Sequence, residues 1–109
     1  HKENLALSFE LFGIGHFFAG AVASEDVTRG KPDPEVFLKA CALGGGEPAT
    51  SFVFEDSFSG LQAGLAGGFV TIALATTNTR AQLAPVGAHR IVADLSEVDP
   101  GWLARGRLS

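Results

Sequence analysis

Two adjacent carboxylates, Glu55 and Asp56, stand where a buried strand is predicted to end. The residues just before them, 51–54, have strand composition, with Val and Phe in the middle. Two neighbouring carboxylates are costly to ionise together unless a cation or hydrogen-bond donors compensate. Mg²⁺, a hard cation with oxygen ligands, is the usual compensator. The pair therefore indicates a magnesium site, and the alternative is a solvated pair in a loop or at a helix start.

A lysine held between stiff backbone units is the second group that could do chemistry. Proline disfavours helical backbone in the residue before it, so Lys31 and Asp33, each followed by proline, are expected to be extended. Asp33 is suited to cap the following helix, and Pro34 to occupy its first position. Because a helix N-terminus favours anions, Lys31 beside it suits a phosphate or carboxylate. The alternative is an ordinary surface lysine.

Strand and helix patterns alternate around these groups. Ser59 and Gln62 fit a capping box, which predicts a helix that begins at Ser59 and stops at the glycine pair 67–68. Residues 69–74 are then predicted to form the next buried strand. A strand, an acidic loop, a helix and a second strand are typical of an open parallel sheet, where ligands bind at the carboxyl ends of the strands.

The flanking segments extend this alternation. Residues 3–12 have apolar side chains at helical spacing, which predicts a helix. Residues 20–24 are predicted to form a short strand. The other predicted elements are a helix after Pro34, a short helix capped by Thr79 and Gln82, a strand at 90–93, a helical turn at 94–98 and a tail at 99–109.

Composition and charge restrict the class of protein. With 109 residues, 46% hydrophobic and 18% charged, the chain is at most one modest globular domain. A formal net charge of -4 without a basic run argues against nucleic acid as a partner. No apolar run approaches the roughly 20 residues that span a bilayer, so no membrane association is expected. A single cysteine, Cys41, cannot form an internal disulfide, and the cytoplasm is the expected compartment.

Two motifs carry a family resemblance. Lys-Pro-Asp-Pro-Glu-Val-Phe at 31–37 and Val-Phe-Glu-Asp-Ser-Phe-Ser-Gly-Leu-Gln-Ala-Gly at 53–64 resemble the third and fourth motifs of the haloacid dehalogenase superfamily. Within it, the chain is similar to the branch of β-phosphoglucomutase-like sugar phosphatases and phosphomutases. The resemblance implies an α/β fold, a Rossmann-like three-layer α/β/α sandwich with a parallel sheet. Residues 1–98 would be the carboxyl-terminal part of the core domain, without the cap domain, and residues 99–109 a tail.

The resemblance also implies a reaction and roles for residues. The family transfers phosphoryl groups with Mg²⁺ through an aspartyl phosphate, and the expected substrate is a small phosphorylated metabolite such as a sugar or polyol phosphate. Lys31 would neutralise the phosphoryl oxygens and the nucleophile, and Asp56 would ligate Mg²⁺. Glu55 would support the metal, directly or through water. Ser57 would help to position the metal loop and is a candidate substrate contact.

Two family motifs are missing from the chain. The family nucleophile lies in an Asp-x-Asp motif, and the second motif supplies a phosphate-binding Ser or Thr; neither is found here. The chain is therefore expected to be a fragment whose partner is the missing N-terminal half of the same protein. Alone it is expected to be inactive and poorly folded, because the strand at 20–24 would lack a neighbour. A phosphomutase and a non-catalytic remnant or binding module are the alternatives.

Overall fold

A mixed sheet organises the chain. The computed structural model describes residues 6–13 and 16–23 by their backbone, and residues 31–108 in full. The strands in these ranges are β1 (Ala6–Gly13), β2 (His16–Ala23), β3 (Phe52–Glu55), β4 (Val70–Leu74) and β5 (Arg90–Val92), in the spatial order β2-β1-β3-β4-β5. The helices are α1 (Glu35–Leu43), α2 (Phe58–Ala66), α3 (Arg80–Leu83) and α4 (Pro100–Arg105), with 3-10 turns at Pro48–Thr50, Ala84–Val86 and Leu95–Glu97. None of these helices is long and apolar enough to cross a membrane.

The half of the sheet that follows the first helix is parallel, as predicted. β3 pairs with β4 and β4 with β5, both in parallel. Parallel neighbours need a crossover connection, which α2 supplies between β3 and β4. Glu55 lies opposite Ala73, so β3 and β4 end at the same edge of the sheet. The predicted α/β class is confirmed, with a parallel sheet formed by β3, β4 and β5.

The amino-terminal segment forms a strand, so the helix predicted at 3–12 is wrong. β1 runs antiparallel to β3, with Leu11 opposite Val53. The apolar residues of the segment fit both the helical period and the strand period. Leu7, Phe9 and Leu11 alternate with other residues, as one face of a strand requires. Pairing decides between the two periods, because β3 would otherwise keep an open row of backbone hydrogen-bonding groups.

The expectation that the strand at 20–24 lacks a neighbour is also wrong. β2 contains most of that segment and pairs antiparallel with β1 along its whole length, from Ala6 opposite Ala23 to Gly13 opposite His16. The two strands form a hairpin, and a hairpin satisfies its inner ladder groups within a short stretch of chain. The chain therefore pairs this strand locally instead of leaving it open.

Helices and tail cover opposite faces of the sheet. Along β3, Phe52 and Phe54 point to one face and Val53 to the other, because side chains alternate along a strand. The Val53 face packs against α1 and α2 and against Phe69, which precedes β4; the helical residues of this cluster are Val36, Phe37, Ala40, Cys41 and Ala63. The Phe52 face is covered by Trp102, Leu103 and Leu108 from α4 and the chain after it. Two helical layers therefore enclose the sheet.

Two helix starts test the predicted caps. The capping box of Thr79 and Gln82 is present at the start of α3, as predicted. The cap of α2 is Ser57, whose Oγ accepts a hydrogen bond from the Gly60 amide at 3.0 Å, so the predicted cap at Ser59 is wrong. A cap needs extended backbone, and Ser57 has it where β3 has just ended, whereas Ser59 is already helical.

The exposed turn after β5 is tied to α3 by charge. Arg80 donates to Glu97 at 2.9 Å. The Ala93 amide, followed by Arg80, stabilises the ionised Glu97 carboxyl and lowers its pKa. The Ser96 hydroxyl and amide lower the pKa of Asp94 in the same way. This cluster holds the carboxyl-terminal turns against the parallel half of the sheet.

Candidate active site

The site predicted from sequence lies at the carboxyl edge of β3 and β4. Glu55 ends β3, Asp56 follows it, and the loop after β4 reaches the same edge. Lys31, 24 residues before Glu55, comes to the same place from the segment before α1. Asp33 accepts a hydrogen bond from the Glu35 amide at 2.9 Å there. The helix begins one residue later than predicted, and its cap position is Pro34, so the predicted cap at Asp33 is wrong by one residue. The structure thus brings the two motifs together.

Lys31 and Glu55 form a largely buried ion pair. Nζ of Lys31 lies 3.1 Å from Oε2 of Glu55, and the two side chains are 21% and 11% exposed. The same Nζ lies 5.4 Å from the ring centroid of Phe37, where the ring face attracts a cation. Lys31 is therefore held in place by charge and packing, and is not a solvated surface lysine.

Both oxygens of Glu55 accept hydrogen bonds. Oε2 takes Lys31, while Oε1 accepts from the Asp56 amide at 3.2 Å and from the Ser57 amide and hydroxyl at 3.2 and 3.0 Å. The carboxylate lies so close to α2 that a Cβ on Gly60 would stand 2.1 Å from its Cδ. Glu55 therefore connects Lys31 to the start of the loop that bears Asp56, and Ser57 helps to hold it.

Asp56 is held by the loop that follows β4. Thr77 Oγ1 donates to Oδ2 of Asp56 at 3.1 Å, and Asn78 Nδ2 donates to its main-chain oxygen at 3.3 Å. Within residues 31–108, Oδ1 of Asp56 accepts no hydrogen bond. Sequence reasoning did not identify Thr77 and Asn78 as partners of Asp56. The predicted parallel order of β3 and β4 could have identified them, because the loops that follow two parallel strands lie at the same edge of the sheet.

The donors at this edge fit part of a magnesium site. Mg²⁺ in proteins is commonly held by one or two carboxylates, several waters and substrate phosphate. Asp56 offers a carboxylate oxygen, whereas both oxygens of the neighbouring Glu55 already accept hydrogen bonds and its charge is paired with Lys31. In the described ranges, no three His, Cys, Asp or Glu side chains gather to hold a metal. The edge thus suits a hard cation that takes its other ligands from water, from substrate or from elsewhere in the protein.

Known proteins match the part of the chain that contains both motifs of this site. The family model for haloacid dehalogenase-like hydrolases matches residues 1–74, which contain Lys31, Glu55 and Asp56. A validoxylamine A 7'-phosphate phosphatase of Streptomyces hygroscopicus is 39% identical over 77 residues, which cover 71% of this chain and 35% of that protein. A β-phosphoglucomutase of Mycobacterium bovis is 41% identical over 83 residues, 72% of this chain and 32% of that protein.

A solved structure shares the architecture. The crystal structure of a HAD hydrolase, family IA, variant 3, from Entamoeba histolytica matches with a TM-score of 0.66 and 27% sequence identity. The match covers 73% of this chain and 36% of that protein. The chain spans about a third of the length of the curated relatives it matches.

Proposed function

Because the chain belongs to the haloacid dehalogenase-like hydrolases, we propose that it is the carboxyl-terminal part of a Mg²⁺-dependent phosphatase. The proposed substrate is a small phosphorylated metabolite, preferably a sugar or polyol phosphate. Two relatives whose names specify a phosphorylated small molecule or a phosphoglucose support this class. The proposed compartment is the cytoplasm, supported by a buried free thiol at Cys41.

One observation carries the proposal: the ion pair of Lys31 and Glu55 at 3.1 Å, one residue from Asp56. Phosphoryl transfer places negative charge on the equatorial oxygens, and catalysis depends mostly on positioning groups that offset it. Lys31 would bind those oxygens and hold them in place. Asp56 would hold Mg²⁺, which supplies further charge neutralisation when bound. Glu55, which accepts hydrogen bonds from Lys31 and from the Asp56 amide, would fix the position of Lys31 relative to Asp56.

The nucleophile belongs to another part of the proposed enzyme. We propose that an aspartate in the preceding half of the same protein attacks phosphorus. The bond between phosphorus and the ester oxygen breaks, and the sugar or polyol leaves as the alcohol after taking up a proton. Water then hydrolyses the aspartyl phosphate to inorganic phosphate and the free carboxylate. A carboxylate nucleophile divides one difficult displacement into two easier ones. The 109 residues contain no Asp-x-Asp motif, so the isolated chain is expected to release no phosphate.

The first test uses the full-length protein and a panel of sugar and polyol phosphates. Phosphate release should depend on Mg²⁺, and Asp56→Asn or Lys31→Met should lower kcat/KM on the order of 100-fold or more, because each removes charge that offsets the transition state. The matched control is Lys39→Met, since Lys39 is an exposed lysine of α1 and 49% of its side chain is solvent-accessible. Turnover that persists in Asp56→Asn, or that needs no divalent cation, would contradict the proposal.

A phosphomutase is the second candidate, favoured by the 41% identity to a β-phosphoglucomutase. The same panel separates the two reactions. A phosphatase releases inorganic phosphate, whereas a mutase yields an isomeric sugar phosphate and conserves total ester phosphate. A protein that binds Mg²⁺ and produces neither would be a binding module.

A further inference from the structure

We propose that Thr77 and Asn78 are positioning residues that hold Asp56 for its cation, an inference that rests on the proposed function. The two side chains contact different parts of Asp56. Thr77 donates to carboxylate Oδ2 at 3.1 Å, and Asn78 donates to the main-chain oxygen at 3.3 Å. One contact fixes the side-chain torsion and the other fixes the backbone that carries it.

The loop that supplies these donors is itself anchored at both ends. On the β4 side, the Ala75 amide donates to the Val92 carbonyl at 2.8 Å. On the α3 side, the Thr79 amide donates to Gln82 Oε1 at 2.9 Å, and the Gln82 amide donates to Thr79 Oγ1 at 3.1 Å. Thr77 and Asn78 lie between these anchors. Donors held on a short anchored loop can orient a carboxylate before any ligand arrives.

The partners of the two carboxylates differ in charge. Glu55 is paired with the cationic Lys31, which offsets its negative charge. Asp56 has the hydroxyl of Thr77 and the carboxamide of Asn78, both neutral donors. Neutral donors orient a carboxylate and leave its negative charge in place. Among residues 31–108, therefore, no cation offsets the charge of Asp56, and Oδ1 is open to a divalent cation while Oδ2 is held.

Mg²⁺ affinity of the full-length protein, measured by titration calorimetry, tests this inference. Thr77→Val keeps the branched shape and removes the hydroxyl, and it should weaken Mg²⁺ binding roughly 10- to 100-fold, as is usual when a ligand loses its orienting partner. Thr77→Ser retains the hydroxyl and should restore most of the affinity. The neighbouring Thr76→Val is the matched control and should bind Mg²⁺ like the wild type.

The χ1 torsion of Asp56, measured by NMR in the absence of divalent cations, gives a readout independent of the proposed function. The wild type and Thr77→Ser should populate one rotamer, and Thr77→Val should average over several. A single rotamer in Thr77→Val, or unchanged Mg²⁺ affinity in that variant, would overturn the positioning role. If the wild type bound no Mg²⁺, the proposed function would fail, and the rotamer comparison would still decide whether Thr77 positions Asp56.

Discussion

At the scale of single residues, Glu55 is the connector of the candidate site. It accepts one hydrogen bond from Lys31 on Oε2 and three from Asp56 and Ser57 on Oε1. All of these groups are donors, so the position needs an acceptor at both oxygens. A carboxylate meets that need and an amide does not, because one end of an amide is itself a donor.

Glu55→Gln should therefore destabilise the full-length protein more than Lys31→Met. The glutamine must turn its NH₂ group toward one set of donors, which leaves partly buried donors unsatisfied, and the expected loss is about 2 kcal/mol. In Lys31→Met, Glu55 keeps its three Oε1 donors and loses the one donor to Oε2, so the loss should be smaller, about 1 kcal/mol. Urea denaturation measures both, with the exposed Glu47→Gln as control. Equal losses in the two variants would count against the connector role.

At the scale of elements, β3 and α2 approach each other so closely that the site depends on a residue without a side chain. Gly60 is buried in the first turn of α2, and the carboxylate of Glu55 fills the space a Cβ would need. The Gly60 amide also donates to the cap Ser57. The helix start and the end of the strand are thus built as one unit.

Gly60→Ala should destabilise the protein by about 1–3 kcal/mol, because the new Cβ would overlap Glu55 and force it to move. Alanine is intrinsically better in a helix than glycine by up to about 1 kcal/mol, so overlap and propensity act in opposite directions. Ser59→Ala, an exposed change in the same turn, should stay within about 0.5 kcal/mol of the wild type. A stability gain in Gly60→Ala, read from the urea midpoint, would show that the Glu55 carboxylate leaves room for a Cβ at position 60.

At the scale of the whole molecule, the carboxyl-terminal tail completes the layered fold. Phe52 and Phe54 are buried on the face that α1 and α2 do not reach, and Trp102 packs there with its neighbours. Residues 100–108 thus cover this face of the sheet through a short helix and the chain after it.

Trp102→Ala should lower the free energy of unfolding by about 2 kcal/mol, since the half-buried indole covers buried phenylalanines. Ala104→Ser, an exposed position of the same helix, controls for helix propensity and should cost about 0.5 kcal/mol. Thermal unfolding of the three proteins makes the comparison. If Trp102→Ala melted like Ala104→Ser, the tail would not contribute to the core.

The order of local signals along the chain was enough to predict much of the site. Lys31 before a proline, and Glu55 and Asp56 after an apolar strand, are short patterns whose backbone consequences are local. Their arrival at one edge follows from the parallel order of strands. The segment at 3–12 was mistaken for a helix because its apolar residues satisfy both periods, and only pairing with β3 decides between them.

The sequence by itself determined which residue types reach the carboxyl edge: a lysine, two carboxylates and the serine that follows them, in an order that matches one family. Only the tertiary structure decided which of these groups contact each other. Lys31 pairs with Glu55, 24 positions along the chain, and Asp56 accepts a hydrogen bond from Thr77, 21 positions along the chain. Such contacts depend on how strands and loops pack in space, and local propensity carries no information about which donor meets which oxygen.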